Sequence, residues 1–184
     1  MFHHKNWLLR LLALGVLCAL LGSCGFKRKK YENPITKDTQ QPDKVLFDKA
    51  INDMERSRYE VARLTLQTLM NTYDTNEYLA KAKLAYADSW FREGGTHGLA
   101  QAEAEYKDFI LFYPTLEESA EAQEKVCMIQ YRQMEKADRD RHNALRAEDE
   151  CRKMLVQFPN SKLEPQAQQR LREIQETLAQ AEMV

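Results

Sequence analysis

The chain is short of the residues that end helices and of those that favour strands. Glycine and proline account for eleven of its 184 residues, about half the usual share. Valine and isoleucine also total eleven. So few turn-formers and β-branched side chains argue against a sandwich or barrel. Histidine is scarce as well: His3 and His4 sit at the N-terminus, and His97 and His142 stand alone, with no ligand-spaced partner for a metal. A glycine-rich stretch, Gly94-Gly95-Thr96-His97-Gly98, lacks the Lys-Ser/Thr ending and the preceding strand of a phosphate loop. It reads as a turn between helices. No pair of carboxylates stands out as an acid/base couple, so the chain is not expected to be an enzyme. No small-molecule substrate and no cofactor are expected, apart from a covalent lipid. What is abundant is alanine, leucine, glutamate, glutamine, lysine and arginine, the residues that cost least in a helix. The expected class is all-α.

The net charge of −1 conceals an asymmetry. Residues 24–44 carry six bases and three acids, and residues 45–184 carry 19 bases and 25 acids. The second part is therefore at −6, which argues against nucleic acid as a partner.

Residues 1–23 read as a signal peptide. Leu11–Leu21 (LLALGVLCALL) is an apolar run of 11, too short for a membrane-spanning helix of about 20 and suited to the core of a secretory signal. Leu21-Gly22-Ser23-Cys24 follows it and resembles a bacterial lipobox. The resemblance implies cleavage between Ser23 and Cys24 and acyl chains on Cys24. Each buried methylene adds about 0.8 kcal/mol, so several chains anchor firmly. Gly25 stands where an Asp would resemble an inner-membrane retention signal, so outer-membrane sorting is implied. Residues 24–44 then form a basic tether, with a reach of roughly 25 Å as a random coil. Its run Lys27–Lys30 is placed either to meet anionic headgroups or to serve as a solvated spacer that holds the domain off the membrane.

Residues 45–184 repeat one pattern. Ala62, Leu66, Leu69, Met70 and Tyr73 fall on one helical face. The same spacing returns at Ala102, Tyr106, Phe109, Ile110 and Tyr113, and again at Ala147, Cys151, Met154, Leu155 and Phe158. Pro114 and Pro159 terminate two of these helices. A second apolar helix precedes each, giving pairs near 44–74, 75–114 and 115–159, and Pro165 opens a final helix over about 164–182. Thr115 with Glu118 predicts a capping box. The pairs resemble tetratricopeptide repeats, so the expected architecture is a TPR-like helical-hairpin solenoid of three pairs plus a C-terminal helix.

Cys18 and Cys24 fall in or beside the signal, which leaves Cys127 and Cys151. A disulfide needs Cα atoms about 5.5 Å apart, whereas packed helix axes lie about 8–10 Å apart. Both cysteines sit on apolar stripes, and two buried free thiols are expected.

FREGGTHGLAQAEAEYKDFILFYPT (91–115), Gln133-Met134 and ADRDRHNALRAEDECRKMLVQFPNSK (137–162) narrow the field. Following a lipobox, they resemble the BamD family of outer-membrane assembly lipoproteins. That resemblance implies an outer-membrane lipoprotein facing the periplasm. Its partners would be other subunits of the β-barrel assembly machinery and unfolded outer-membrane proteins. Family members have five repeats, so three pairs correspond to the N-terminal, client-meeting part. A lipid-anchored TPR adaptor of the division or peptidoglycan machinery is the alternative, and a structural spacer a third.

In such an array the first helix of each pair lines the groove. The groove positions are then Phe47, Ile51 and Met54; Leu84, Asp88, Phe91 and Arg92; and Met128, Tyr131 and Arg132. Aromatic rings beside arginines suit a peptide that ends in an aromatic residue and a carboxylate.

Overall fold

The structure is a computed structural model and describes residues 34–36, 39–73, 77–136 and 141–182. The cleavage site at Ser23, the lipid site at Cys24, the Lys27–Lys30 run and the turn at residues 137–140 lie outside the described residues. Among those described, seven helices and no strand occur: α1 (Pro42–Glu55), α2 (Tyr59–Thr72), α3 (Leu79–Glu93), α4 (Gly95–Phe112), α5 (Glu117–Lys136), α6 (Arg141–Gln157) and α7 (Glu164–Glu182). Each packs chiefly on its neighbours in sequence, as in a stack of helical hairpins. No described helix is long and apolar enough to cross a membrane.

The repeated stripe takes the same form in α2, α4 and α6. Its first three members, Ala62, Leu66 and Leu69, are fully buried, as are Ala147, Cys151 and Met154; Ala102, Tyr106 and Phe109 match them. The last two members of each stripe are half-buried. The closing aromatic is the first residue beyond each helix. Its N–H still donates to the carbonyl four residues back: Tyr73 to Leu69 at 2.9 Å, Tyr113 to Phe109 at 2.9 Å and Phe158 to Met154 at 3.0 Å. The aromatic thus satisfies a terminal carbonyl while its ring remains against the core. Small residues on the facing helices, such as Ala50, Ala82, Ala87 and Ala122, are buried against these stripes and allow close helix approach.

Gly94 to Gly98 is not a turn. Gly94 alone separates α3 from α4, and Gly95 to Gly98 form the first turn of α4. Gly94 has φ 73° and ψ −154°, a region open essentially to glycine only. A Cβ on Gly98 would lie 2.9 Å from the Trp90 carbonyl oxygen. Glycine is needed there because the two helices meet backbone to backbone, which a turn-propensity reading does not detect.

Cys127 and Cys151 form a disulfide with Cα atoms 4.6 Å apart; they are not free thiols. Interaxial and Cα–Cα distances differ where two helices face each other. Cα atoms lie about 2.3 Å from each axis, so facing Cα atoms on helices 8–10 Å apart are separated by only about 3.4–5.4 Å. The bridge joins α5 to α6 in a core shared with Ala147 and Ile174.

The start of α5 also differs from expectation. The helix begins at Glu117, two residues after Thr115, and Ser119 rather than Thr115 secures it: its hydroxyl donates to the Tyr113 carbonyl at 2.5 Å. Pro165 lies in the first turn of α7, as expected. That helix is held to α5 by apolar and polar contacts together. Ile174 is fully buried, Arg170 pairs with Glu124, and the Tyr131 hydroxyl donates to Glu173 at 2.7 Å.

Candidate functional site

Leu84, Asp88, Phe91 and Arg92 lie at i, i+4, i+7 and i+8 on α3 and so share a face. They line a cavity of about 290 Å3 with Tyr106 of α4 and with Glu121 and Lys125 of α5. The cavity therefore sits where the second hairpin meets the third.

Its floor is aromatic. Tyr106 is fully buried, and its ring meets Phe91 edge-on with centroids 6.3 Å apart. The Tyr106 hydroxyl donates to Asp88 Oδ1 at 2.5 Å. Burial first, then the Asp88 charge and the hydrogen bond to it, hold the phenol far above its ordinary range. The hydroxyl is thus a permanent donor.

Its rim carries two cations, Arg92 and Lys125, and one exposed carboxylate, Glu121. Lys125 Nζ lies 5.0 Å from the centre of the Phe91 ring and Arg132 Cζ 5.1 Å from it, within the range of cation–π attraction. Arg92 is exposed at the mouth. Among the described residues none of these three cations has a carboxylate within 4.0 Å. Elsewhere bases are commonly paired: Arg63 with Glu93 at 2.7 Å, Lys107 with Glu103 at 2.7 Å and with Glu150 at 2.9 Å, and Arg152 with Glu148 at 2.6 Å. A cluster of unpaired cations beside an aromatic ring, on an acidic protein, is equipped to take an anion that carries apolar bulk.

The ten groove positions divide four ways. Leu84, Asp88, Phe91 and Arg92 come together in the cavity, and Arg132 joins them over Phe91. Phe47, Ile51 and Met54 belong instead to the first core: Met54 is only 3% exposed, and the Phe47 ring lies 5.5 Å from that of Tyr78. Tyr131 turns towards α7, where its hydroxyl and the Gln169 amide hold the Glu173 carboxyl below its usual range. Met128 is half-buried and does not line the cavity. Three cavity residues, Tyr106, Glu121 and Lys125, were not among the ten. Tyr106 carried a usable signal, because it is the one tyrosine in a stripe position filled by Leu66 and Cys151 in the other repeats.

A second hollow, of about 370 Å3, lies between the turns Tyr113–Leu116 and Phe158–Lys162. Its two charged groups, Glu117 and Lys162, pair with each other at 3.3 Å, so it offers no free charge. The first cavity is the stronger site on this ground.

Comparison with curated proteins gives no match. A family model does match: that of YfiO, described as an outer membrane lipoprotein, over residues 39–184. The span takes in all seven helices and the cavity between the second and third hairpins, and the chain belongs to this family of outer-membrane lipoproteins.

Proposed function

We propose that the protein is a subunit of the β-barrel assembly machinery that binds unfolded outer-membrane proteins by their C-terminal ends. In this reading residues 1–23 are removed, Cys24 carries the lipid, residues 24–44 are the tether and residues 45–184 the binding array. No chemical transformation is involved; the array acts by holding a client beside the other subunits.

One observation carries the reading. Among the described residues Arg92, Lys125 and Arg132 lack carboxylate partners; Arg92 and Lys125 line the cavity with Leu84, Phe91 and Tyr106, and Arg132 lies over the Phe91 ring. A chain ending in an aromatic residue presents the complement, a ring followed by a carboxylate. The ring enters against Phe91, and a guanidinium meets the carboxylate with charge-assisted hydrogen bonds. Family membership supports the location and the kind of partner.

The test is binding of a peptide with a C-terminal phenylalanine to the double variant Arg92→Glu, Arg132→Glu. Loss of the charge-assisted guanidinium contact, worth about 1.5–3 kcal/mol, weakens binding by roughly tenfold to a hundredfold, with an unchanged helical circular dichroism spectrum. Unchanged affinity refutes the peptide-end reading.

A further inference from the structure

Among the described residues five acid–base pairs at i, i+4 spacing are closed. The separations are 3.9 Å for Lys44–Asp48, 3.0 Å for Lys49–Asp53, 2.7 Å for Glu103–Lys107, 2.6 Å for Glu148–Arg152 and 2.7 Å for Asp149–Lys153. Asp88 and Arg92 have the same spacing on α3, with the acid N-terminal to the base, the more favourable order. Yet no ion pair joins them, and the Asp88 carboxylate is engaged by Tyr106. Glu121 and Lys125 repeat the situation across the cavity. They too are acid-first at i, i+4, and Lys125 lies over Phe91 rather than on Glu121.

These two open pairs line the same cavity, whereas other open pairs at this spacing, such as Glu77–Lys81 and Arg172–Glu176, lie elsewhere. The Tyr106 ring is fixed in a core of Ala87, Leu99, Ala102, Phe109 and Val126. Its hydroxyl cannot follow Asp88 outward, so Asp88 is drawn inward to it.

We infer that Tyr106 is a positioning residue of the anion site: by holding Asp88, it keeps Arg92 unneutralised and open to a ligand carboxylate. This rests on the peptide-end reading above. Without the tyrosine hydroxyl, Asp88 swings to Arg92 and becomes an internal competitor for the same guanidinium. The predicted defect is therefore one of selectivity for the terminal charge, whereas a packing defect would weaken all peptides alike.

The experiment uses the full chain in detergent and two probes, a nine-residue peptide ending in phenylalanine and the same peptide with its C-terminus amidated. The unaltered protein prefers the free acid roughly tenfold. Tyr106→Phe reduces that ratio to threefold or less, and adding Asp88→Asn to Tyr106→Phe restores it, because asparagine cannot neutralise Arg92. Asp88→Asn alone retains at least the original ratio, which gives a reading independent of whether Tyr106→Phe folds. Retention of the full ratio in Tyr106→Phe, failure of the double variant to restore it, or its loss in Asp88→Asn overturns the inference while leaving the peptide-end reading intact. No acid preference in the unaltered protein overturns both.

Discussion

Reduction of the disulfide is expected to remove from about a quarter to about two-thirds of a typical domain's stability. Cys127 and Cys151 are 24 residues apart in sequence. Closing a loop of that length withdraws about 11.6 cal/mol/K of entropy from the denatured chain, or about 3.5 kcal/mol at 25 °C. Against a common domain stability of about 5–15 kcal/mol this is large. Both residues are fully buried, so reductant gains access only when the third hairpin opens. The comparison is therefore made on protein reduced in denaturant and refolded with reductant throughout. With a urea slope of about 2 kcal/mol/M, the midpoint falls by roughly 1.7 M. Alkylation of the unfolded, unreduced chain followed by peptide mapping supplies the control and finds neither Cys127 nor Cys151 modified. Coincident urea curves for the oxidised and reduced forms, or alkylated Cys127 and Cys151 in the unreduced chain, refute the reasoning.

Gly94→Ala probes the one-residue connection between α3 and α4. Nothing lies within 4 Å of the added methyl, so the cost is backbone strain alone, about 1–3 kcal/mol, seen as a lower melting temperature; an unchanged melt contradicts it. Acidification probes Glu150. Burial opposes its ionisation, but hydrogen bonds from Lys107 and Gln123 and the charges of Lys107 and Lys153 outweigh this and hold its carboxyl below the usual range. A lowered folded-state value stabilises the fold above the unfolded carboxyl range, near pH 4.3, and that contribution is lost as pH falls through the folded value. The urea midpoint therefore drops between pH 5 and pH 3, and Glu150→Gln makes the drop shallower; parallel slopes for the two proteins contradict the assignment.

The helices were legible because burial in a hairpin stack is written at helical spacing. Ala62, Ala102 and Ala147 each begin a face whose next two members are buried, and each face ends at an aromatic that leaves the helix. What escaped were contacts between elements. The Gly94–Gly98 stretch has turn composition, and the positive φ of Gly94 and Gly95 with the approach of the Trp90 carbonyl to Gly98 explain why glycine occurs there. The disulfide depended on how closely α5 and α6 meet face to face, which no single-helix pattern encodes. The cavity shows the same division. Leu84, Asp88, Phe91 and Arg92 share one helix and could be read together, whereas Tyr106, Glu121 and Lys125 enter through the rotation of α4 and α5 about their axes. Phe47, Ile51 and Met54 hold corresponding places in the first hairpin but pack into its core, where Tyr78 meets Phe47.

Packing of each helix chiefly on its sequence neighbours also sets how the chain can acquire its structure. Every helix finds its main partner within the next few dozen residues, and no closing contact between the first and last helices must be awaited. Such low contact order favours rapid folding. It also lets structure grow in the order in which the chain is released, one hairpin serving as the template for the next. A chain threaded through a membrane pore N-terminus first would thus have α1 and α2 assembled before α7 emerged, with Cys127 and Cys151 brought together only in the later stages.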